Sequence, residues 1–201
     1  PVLLSLMEIM KIKDPFDPFS MIIVPGGFSY GDDIAAGKIL ANEMKYKLKE
    51  ELVKFVRSGR LVIGICNGFQ VLVKSGLLPA SHGIMDDTQQ ATLAFNNSAK
   101  FEDRWIYLKT NKKSCCVFAN DLPRKFFLPI AHGEGKFSVK DSKVLKDIVR
   151  NGQIVFQYCQ NKGSEVAKNY PSNPNGSVLG IAGICNNKGN VLGMMPHPER
   201  Y

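Results

Sequence analysis

The chain has 201 residues, 44% of them hydrophobic and 22% charged, an ordinary globular composition with room for one substantial core. No apolar run approaches the roughly 18 residues that a membrane span requires. Lys and Arg number 26 against 18 Asp and Glu, a formal charge of +8, but no arginine-rich run or basic-aromatic interleaving accompanies it, which argues against a nucleic-acid-reading surface.

In chain order, the apolar stretch at 2–10 has no basic segment before it and no small-residue cleavage site after it, so no signal peptide is expected. Residues 21–25 (MIIVP) read as a short buried parallel strand stopped by Pro25, Gly26 and Gly27. Residues 34–56 then show helical spacing, with Ile34, Leu40, Met44, Leu48, Leu52 and Phe55 apolar among Lys and Glu. Most lysines of the chain's first third (Lys38, Lys45, Lys47, Lys49, Lys54) fall on that helix, giving a solvated face or a basic docking surface for a partner protein. Gly59 closes the helix where a C-cap prefers glycine. Residues 61–65 (LVIGI) form a second buried strand, and 67–74 open a second helix ending at Gly76. This alternation predicts an α/β fold with an open, mostly parallel sheet flanked by helices.

The middle of the chain changes character. Short strand-like runs at 92–95, 105–110, 115–118 and 126–131 have no long helix between them, which predicts a small antiparallel region beside the main sheet. A brief helix at 142–149 precedes strand signals at 154–159, 178–184 and 191–195. Residues 187–190 read as a hairpin turn, and 170–177 (YPSNPNGS) as an irregular loop. No repeat, linker or low-complexity tract interrupts the chain, so residues 1–201 read as a single domain.

Five cysteines are an odd number, with no C-x-x-C pair, and the neighbours Cys115 and Cys116 cannot form an unstrained disulfide with each other. A disulfide framework or zinc site is not expected, and a reducing, cytoplasmic setting is. One cysteine stands apart. Gly64-Ile65-Cys66-Asn67-Gly68 has the form G-x-C-x-G between a buried strand and a helix, the thiol version of a nucleophile elbow. Gly64 and Gly68 remove side chains that would collide across so sharp a turn. Cys66 then projects from the carboxyl edge of the sheet, where the helix N-terminus favours a thiolate. The N–H of Asn67 is placed to hold an oxyanion forming on a carbonyl that Cys66 attacks. Gly27, in a glycine turn after the neighbouring strand, is the candidate second oxyanion donor. Cys115, Cys116, Cys159 and Cys185 lack such a context and read as core residues or inert thiols.

A thiol nucleophile needs a proton acceptor, and there are three histidines. His82 lies in a loop with no carboxylate near it in sequence until Asp86. His132 lies in AHGEG. His197 lies in MPHPER, directly after an apolar strand. Pro198 pushes His197 towards extended geometry, in which residues two apart face the same way. Glu199 can then accept a proton from one ring nitrogen of His197 and leave the other for Cys66. His132 is the second candidate base, or a residue of the substrate loop.

These pieces together resemble class I glutamine amidotransferases, and among them the glutaminase subunits of phosphoribosylformylglycinamidine synthase, an enzyme of purine biosynthesis. The matching stretches are PGGFSYGDD at 25–33, GICNGFQVL at 64–72, PIAHGEGKF at 129–137, NPNGSVLGIAGICN at 173–186 and GNVLGMMPHPER at 189–200. The resemblance implies a flavodoxin-like open sheet, a Cys66, His197 and Glu199 triad, and an oxyanion hole of Gly27 and Asn67. It also implies that Phe28 and Gln70 line the glutamine pocket, and that the loop from His132 to Gly135 closes over that site or faces the partner subunit.

The implied reaction is hydrolysis of glutamine through a thioester. Ammonia would pass to a separate synthetase subunit that makes formylglycinamidine ribonucleotide from formylglycinamide ribonucleotide, with a further small subunit as an additional partner. No Walker A loop is present, so no cofactor is expected on this chain and ATP and Mg are assigned to the synthetase. The family normally opens with a further strand and helix and closes with a helix after H-P-E-R. Either those pieces lie outside this sequence or the protein is shortened. An amidotransferase with another ammonia acceptor, a thiol-elbow hydrolase or stress protein, and a non-catalytic partner-binding module remain as alternatives.

Overall fold

The computed structural model describes residues 1–27, 37–163 and 165–201. The apolar stretch near the start forms one short helix, α1 (Leu6–Ile9). Ser5 caps it by accepting from the Glu8 N–H, and the Glu8 carboxylate accepts in return from the Ser5 N–H. The first two strands stand where the apolar runs placed them, β1 at Met21–Val24 and β2 at Leu61–Ile65.

The helix expected over 34–56 is two helices, α2 (Lys38–Lys47) and α3 (Lys49–Arg57); its start at Ile34 lies outside the described residues. The break falls at Leu48, whose φ of −125° leaves the helical region while its side chain is buried in the core. No proline or glycine marks that break. Helix α4 (Asn67–Ser75) follows β2 after one residue and ends at Gly76, in the left-handed conformation at φ 90°.

Beyond α4 come β3 (Ala91–Ala94), β4 (Glu102–Thr110), β5 (Lys125–His132) and β6 (Lys136–Val139). Helix α5 (Ser142–Arg150), capped by the Asp141 carboxylate accepting from the Val144 N–H, leads to β7 (Ile154–Cys159), β8 (Ile181–Cys185) and β9 (Val191–Met194). The strand expected at 115–118 is instead a 3-10 turn at Val117–Ala119. Its amides reach outward to loops, Cys115 to the Gly152 carbonyl and Val117 to that of Gly189, so no ladder forms. The strand signal at 178–184 starts later, at Ile181, after a 3-10 turn. The turn expected at 187–190 joins β8 to its antiparallel neighbour β9, and the Asn186 side chain accepts from the N–H groups of Asn190 and Val191.

Seven strands form one sheet in the order β1-β2-β9-β8-β7-β4-β5, and β3 and β6 pair separately. The fold is α/β, an open mixed sheet flanked by helices. Strands β1, β2 and β9 run parallel, and the rest of the order pairs antiparallel. The antiparallel region thus continues the main sheet instead of standing beside it. Strand β9 feeds two cores by the alternation of side chains: Val191 and Met195 pack with the helices, while Leu192 and Met194 pack with residues of β4, β5 and β7. The long β4–β5 ribbon twists and curls. Strand β5 is the far edge of the sheet, yet its last residues return to the carboxyl ends of β2 and β9. The His197 N–H donates to the Pro129 carbonyl at 2.9 Å, and the Cys66 Sγ lies 3.7 Å from the Ala131 carbonyl oxygen.

Candidate active site

Strand β2 ends at Ile65 and α4 begins at Asn67, so Cys66 turns the chain alone. Its φ of 50° and ψ of −105° lie where side-chain-bearing residues rarely sit, at a cost of about 1–3 kcal/mol. The flanking glycines are required by backbone atoms. A Cβ on Gly64 would stand 2.6 Å from the Gly68 carbonyl oxygen, and one on Gly68 only 1.9 Å from that of Val24 in β1. The Cys66 N–H donates to the Met194 carbonyl at 2.8 Å, which fixes the elbow to β9. Asn67 is the first residue of α4, among the helix N–H groups that point beyond its end.

At the tail, His197 is extended (φ −105°, ψ 91°), as the following proline requires. From Pro198 the chain coils into a 3-10 turn, Pro198–Arg200. Glu199 therefore meets His197 through that turn and not through strand alternation, a correction to the geometry expected of this segment. The Glu199 Oε1 lies 2.6 Å from Nδ1. A carboxylate can only accept, so Nδ1 donates, and in the neutral ring Nε2 carries the lone pair. That Nε2 is buried without a hydrogen-bond partner among the described residues.

Gly26 joins the two segments. A Cβ built there would stand 3.0 Å from the His197 Cε1 and 3.5 Å from the Cys66 Cβ. The His197 imidazole and the Cys66 Cβ thus both border one point of the backbone, which only glycine fits without moving the ring. Gly27 follows in a positive-φ conformation (103°) with open space around it.

The 132–135 loop lies across the same opening. His132 is buried, its ring laid against Gly135, where a Cβ would come within 2.3 Å of the ring. Asn96 holds the loop. Its amide nitrogen donates to the carbonyls of His132 and Lys100, and its oxygen accepts from the Gly135 N–H and faces the His132 Nδ1 at 3.2 Å. Burial pushes the His132 pKa down to about 4, with smaller contributions from the charges of His197 and Arg104, so this ring is neutral at pH 7. Gln70, on the first turn of α4, donates its side-chain amide to the Glu134 carbonyl at 2.7 Å and ties the loop to the elbow.

These segments enclose a cavity of about 870 Å³, bordered by Gly26, Gly27, Cys66, Asn67, Gln70, His132, Glu134, His197 and Glu199, with Ile23, Phe95 and Phe101 supplying apolar wall. Of the residues the sequence nominated, Gly27, Cys66, Asn67, Gln70, His132, His197 and Glu199 all border it; Phe28 lies outside the described residues. Gly26 and Asn96 were not foreseen. Gly26 was read as part of the turn, and nothing in the sequence near Asn96 marks a partner 36 residues away. His82 is remote from the cavity and pairs with Asp147 at 2.9 Å, a carboxylate contact its local sequence did not reveal. Among the described residues no group of His, Cys, Asp and Glu side chains could hold a metal ion, and no helix is long and apolar enough to cross a membrane.

A sequence model of the family described as CobB/CobQ-like glutamine amidotransferase domain matches residues 3–201. The chain belongs to the glutamine amidotransferases. Within them it is 44% identical over 194 residues to the phosphoribosylformylglycinamidine synthase subunit PurQ of Dehalococcoides mccartyi, covering 96% of this chain and 72% of that protein. To the subunit of the same name from Treponema denticola it is 42% identical, covering 99% of this chain and 77% of that one. A chain in the structure of PurLQS from Thermotoga maritima superposes with a TM-score of 0.67 at 36% identity, over 92% of this chain and 71% of that one. The family is thus that of the PurQ subunits, and the curled seven-stranded sheet is its fold.

Proposed function

We propose that this chain is the glutaminase subunit of phosphoribosylformylglycinamidine synthase, and that Cys66, His197 and Glu199 hydrolyse glutamine in the cavity described above. The chain-wide identity to PurQ subunits supports the first part. The observation that carries the second is the His197 ring, held by Glu199 at Nδ1, with a buried Nε2 that has no hydrogen-bond partner among the described residues, on a ring that borders Gly26 as the Cys66 Cβ does.

In this mechanism His197 takes the thiol proton through Nε2, and the Cys66 thiolate attacks the side-chain carboxamide carbon of glutamine. The Gly27 and Asn67 N–H groups hold the tetrahedral oxyanion, each donor contributing roughly 3 kcal/mol. The protonated His197, stabilised by Glu199, delivers its proton to the departing nitrogen and ammonia leaves. Water, deprotonated by the same Nε2, then attacks the glutamyl thioester and releases glutamate. Gln70 and the His132 loop shape the pocket that receives the substrate.

Ammonia passes to the synthetase subunit, PurL in the PurLQS assembly, where formylglycinamide ribonucleotide becomes formylglycinamidine ribonucleotide. ATP and Mg belong to that subunit and this chain works without a cofactor. A further small subunit completes the assembly, which operates in the cytoplasm. The test is ammonia release from glutamine with the synthetase subunit present. Cys66→Ala should lose activity by about 10⁴-fold or more, while Cys159→Ala retains it. Full activity in the Cys66 variant would overturn the assignment.

A further inference from the structure

The thiols expected to be inert are not all alike. Cys115 is exposed, and its Sγ lies 3.6 Å from that of Cys185, which is buried behind it. Both are anchored through their backbones. The Cys115 N–H donates to the Gly152 carbonyl, and its own carbonyl lies where a Cβ on Gly189 would come within 2.1 Å. The Cys185 N–H donates to the Gln153 carbonyl, and the Gln153 side-chain amide donates back to the Cys185 carbonyl. Two sulfurs from chain positions 70 residues apart are thereby held side by side, one facing solvent and one sheltered. The pair borders no part of the glutaminase cavity.

We infer that Cys115 and Cys185 form an oxidisable dithiol site, which reacts at Cys115 with small-molecule disulfides of the glutathione class and closes into a Cys115–Cys185 bond. The inference is independent of the glutaminase reading, because it uses neither Cys66 nor the cavity. The chemistry balances in two exchanges. The Cys115 thiolate attacks one sulfur of the external disulfide; that S–S bond breaks, a mixed disulfide forms on Cys115, and one external thiol leaves with a proton. Cys185 then gives up its proton and attacks the Cys115 sulfur, and the second external thiol leaves. The protein loses two electrons and two protons, and the external disulfide gains them as two thiols.

The electrostatics support that order of events. The hydrogen bond from Cys185 lowers the Cys115 thiol to about 7, so an appreciable thiolate fraction faces solvent at neutral pH. Donating that hydrogen bond, together with burial, pushes Cys185 up and keeps it protonated until a mixed disulfide draws it in. Cys116 is also held below its ordinary thiol pKa by the Cys185 side chain, but it is buried and does not meet an external reagent first.

The test uses the full chain in buffers of increasing oxidised-to-reduced glutathione ratio, quenched by alkylation and mapped by peptide mass. The expected product is a peptide pair joined through Cys115 and Cys185, about 2 Da lighter than the two thiol peptides together. Cys116→Ser should form it as the wild type does, and Cys185→Ser should instead accumulate glutathione on Cys115. In denaturing urea the joined yield should fall by about tenfold or more, because native proximity supplies the effective concentration. Wild-type protein that stops at the mixed disulfide, a bond through Cys116 in place of Cys115, or an equal yield in urea would overturn the inference.

Discussion

His197 and His132 present a natural comparison within one cavity. Both rings are buried, both border the opening beside Cys66, and both leave Nε2 without a hydrogen-bond partner among the described residues. They differ in what holds Nδ1. His197 is held by a carboxylate at 2.6 Å that is itself about half exposed, whereas His132 faces the neutral side-chain oxygen of Asn96 inside a buried network. A carboxylate stabilises the positive ring that forms when a proton arrives; an amide fixes the ring's position without favouring its charge. Under the proposed mechanism the two histidines of this cavity do different work, His197 carrying protons and His132 holding the loop.

That contrast can be broken by experiment. The largest effect is expected at the carrier: His197→Ala should lower glutaminase turnover by about 10⁴-fold with the synthetase present, whereas His132→Gln, which cannot take up a proton, should retain most of it. Equal losses in steady-state assays would erase the distinction. Next comes the group behind the carrier. Glu199→Gln should cost about 100-fold less than His197→Ala, in keeping with the orienting member of other triads, and should change turnover more than KM. A Glu199 variant as inactive as the His197 variant would give the carboxylate a direct chemical part.

The third effect is on stability and its pH dependence. His132 is depressed in the folded chain, to about 4 from 6.5, so the unfolded chain binds its proton first as the solution is acidified. Stability from this ring is complete above pH 6.5 and falls as pH drops towards 4, by about 3 kcal/mol in all. Urea midpoints for wild type and His132→Gln should therefore converge on acidification, and parallel curves would refute a buried neutral ring. The smallest effect is at Asn96. Asn96→Ala removes the bonds to His132, Lys100 and Gly135 and should cost about 1–3 kcal/mol of stability, with KM for glutamine rising more than turnover falls. An unchanged KM would detach the 132–135 loop from substrate binding.

What the sequence made legible was decided locally. Gly64, Cys66 and Gly68 could be read as an elbow because a one-residue turn from strand to helix excludes side chains within a few positions, and the contact of Gly64 with the Gly68 carbonyl is of that kind, whereas the crowding of Gly68 by the Val24 carbonyl comes from the neighbouring strand β1. The pairing of His197 with Glu199 was legible for a reason that was only half right, since Pro198 does extend His197 but a 3-10 turn brings the carboxylate round. What was illegible depends on distant partners. Nothing between Lys45 and Lys49 signals that the helix divides at Leu48, and nothing near His82 signals Asp147. The segment at 115–118 has strand-like side chains, but its amides find loop carbonyls at Gly152 and Gly189 instead of a neighbouring strand. The role of Gly26 could not be read at all until His197 and Cys66 were known to meet there.

The return of β5 has a consequence for how this centre comes into being. Its parts are gathered from opposite margins of the sheet: the sulfur rises from next to one margin, and the carbonyls of Pro129 and Ala131 that steady the imidazole segment and face the sulfur arrive from the other. The centre therefore cannot mature piecemeal as the parallel strands assemble; it exists only once the whole ribbon has rolled shut.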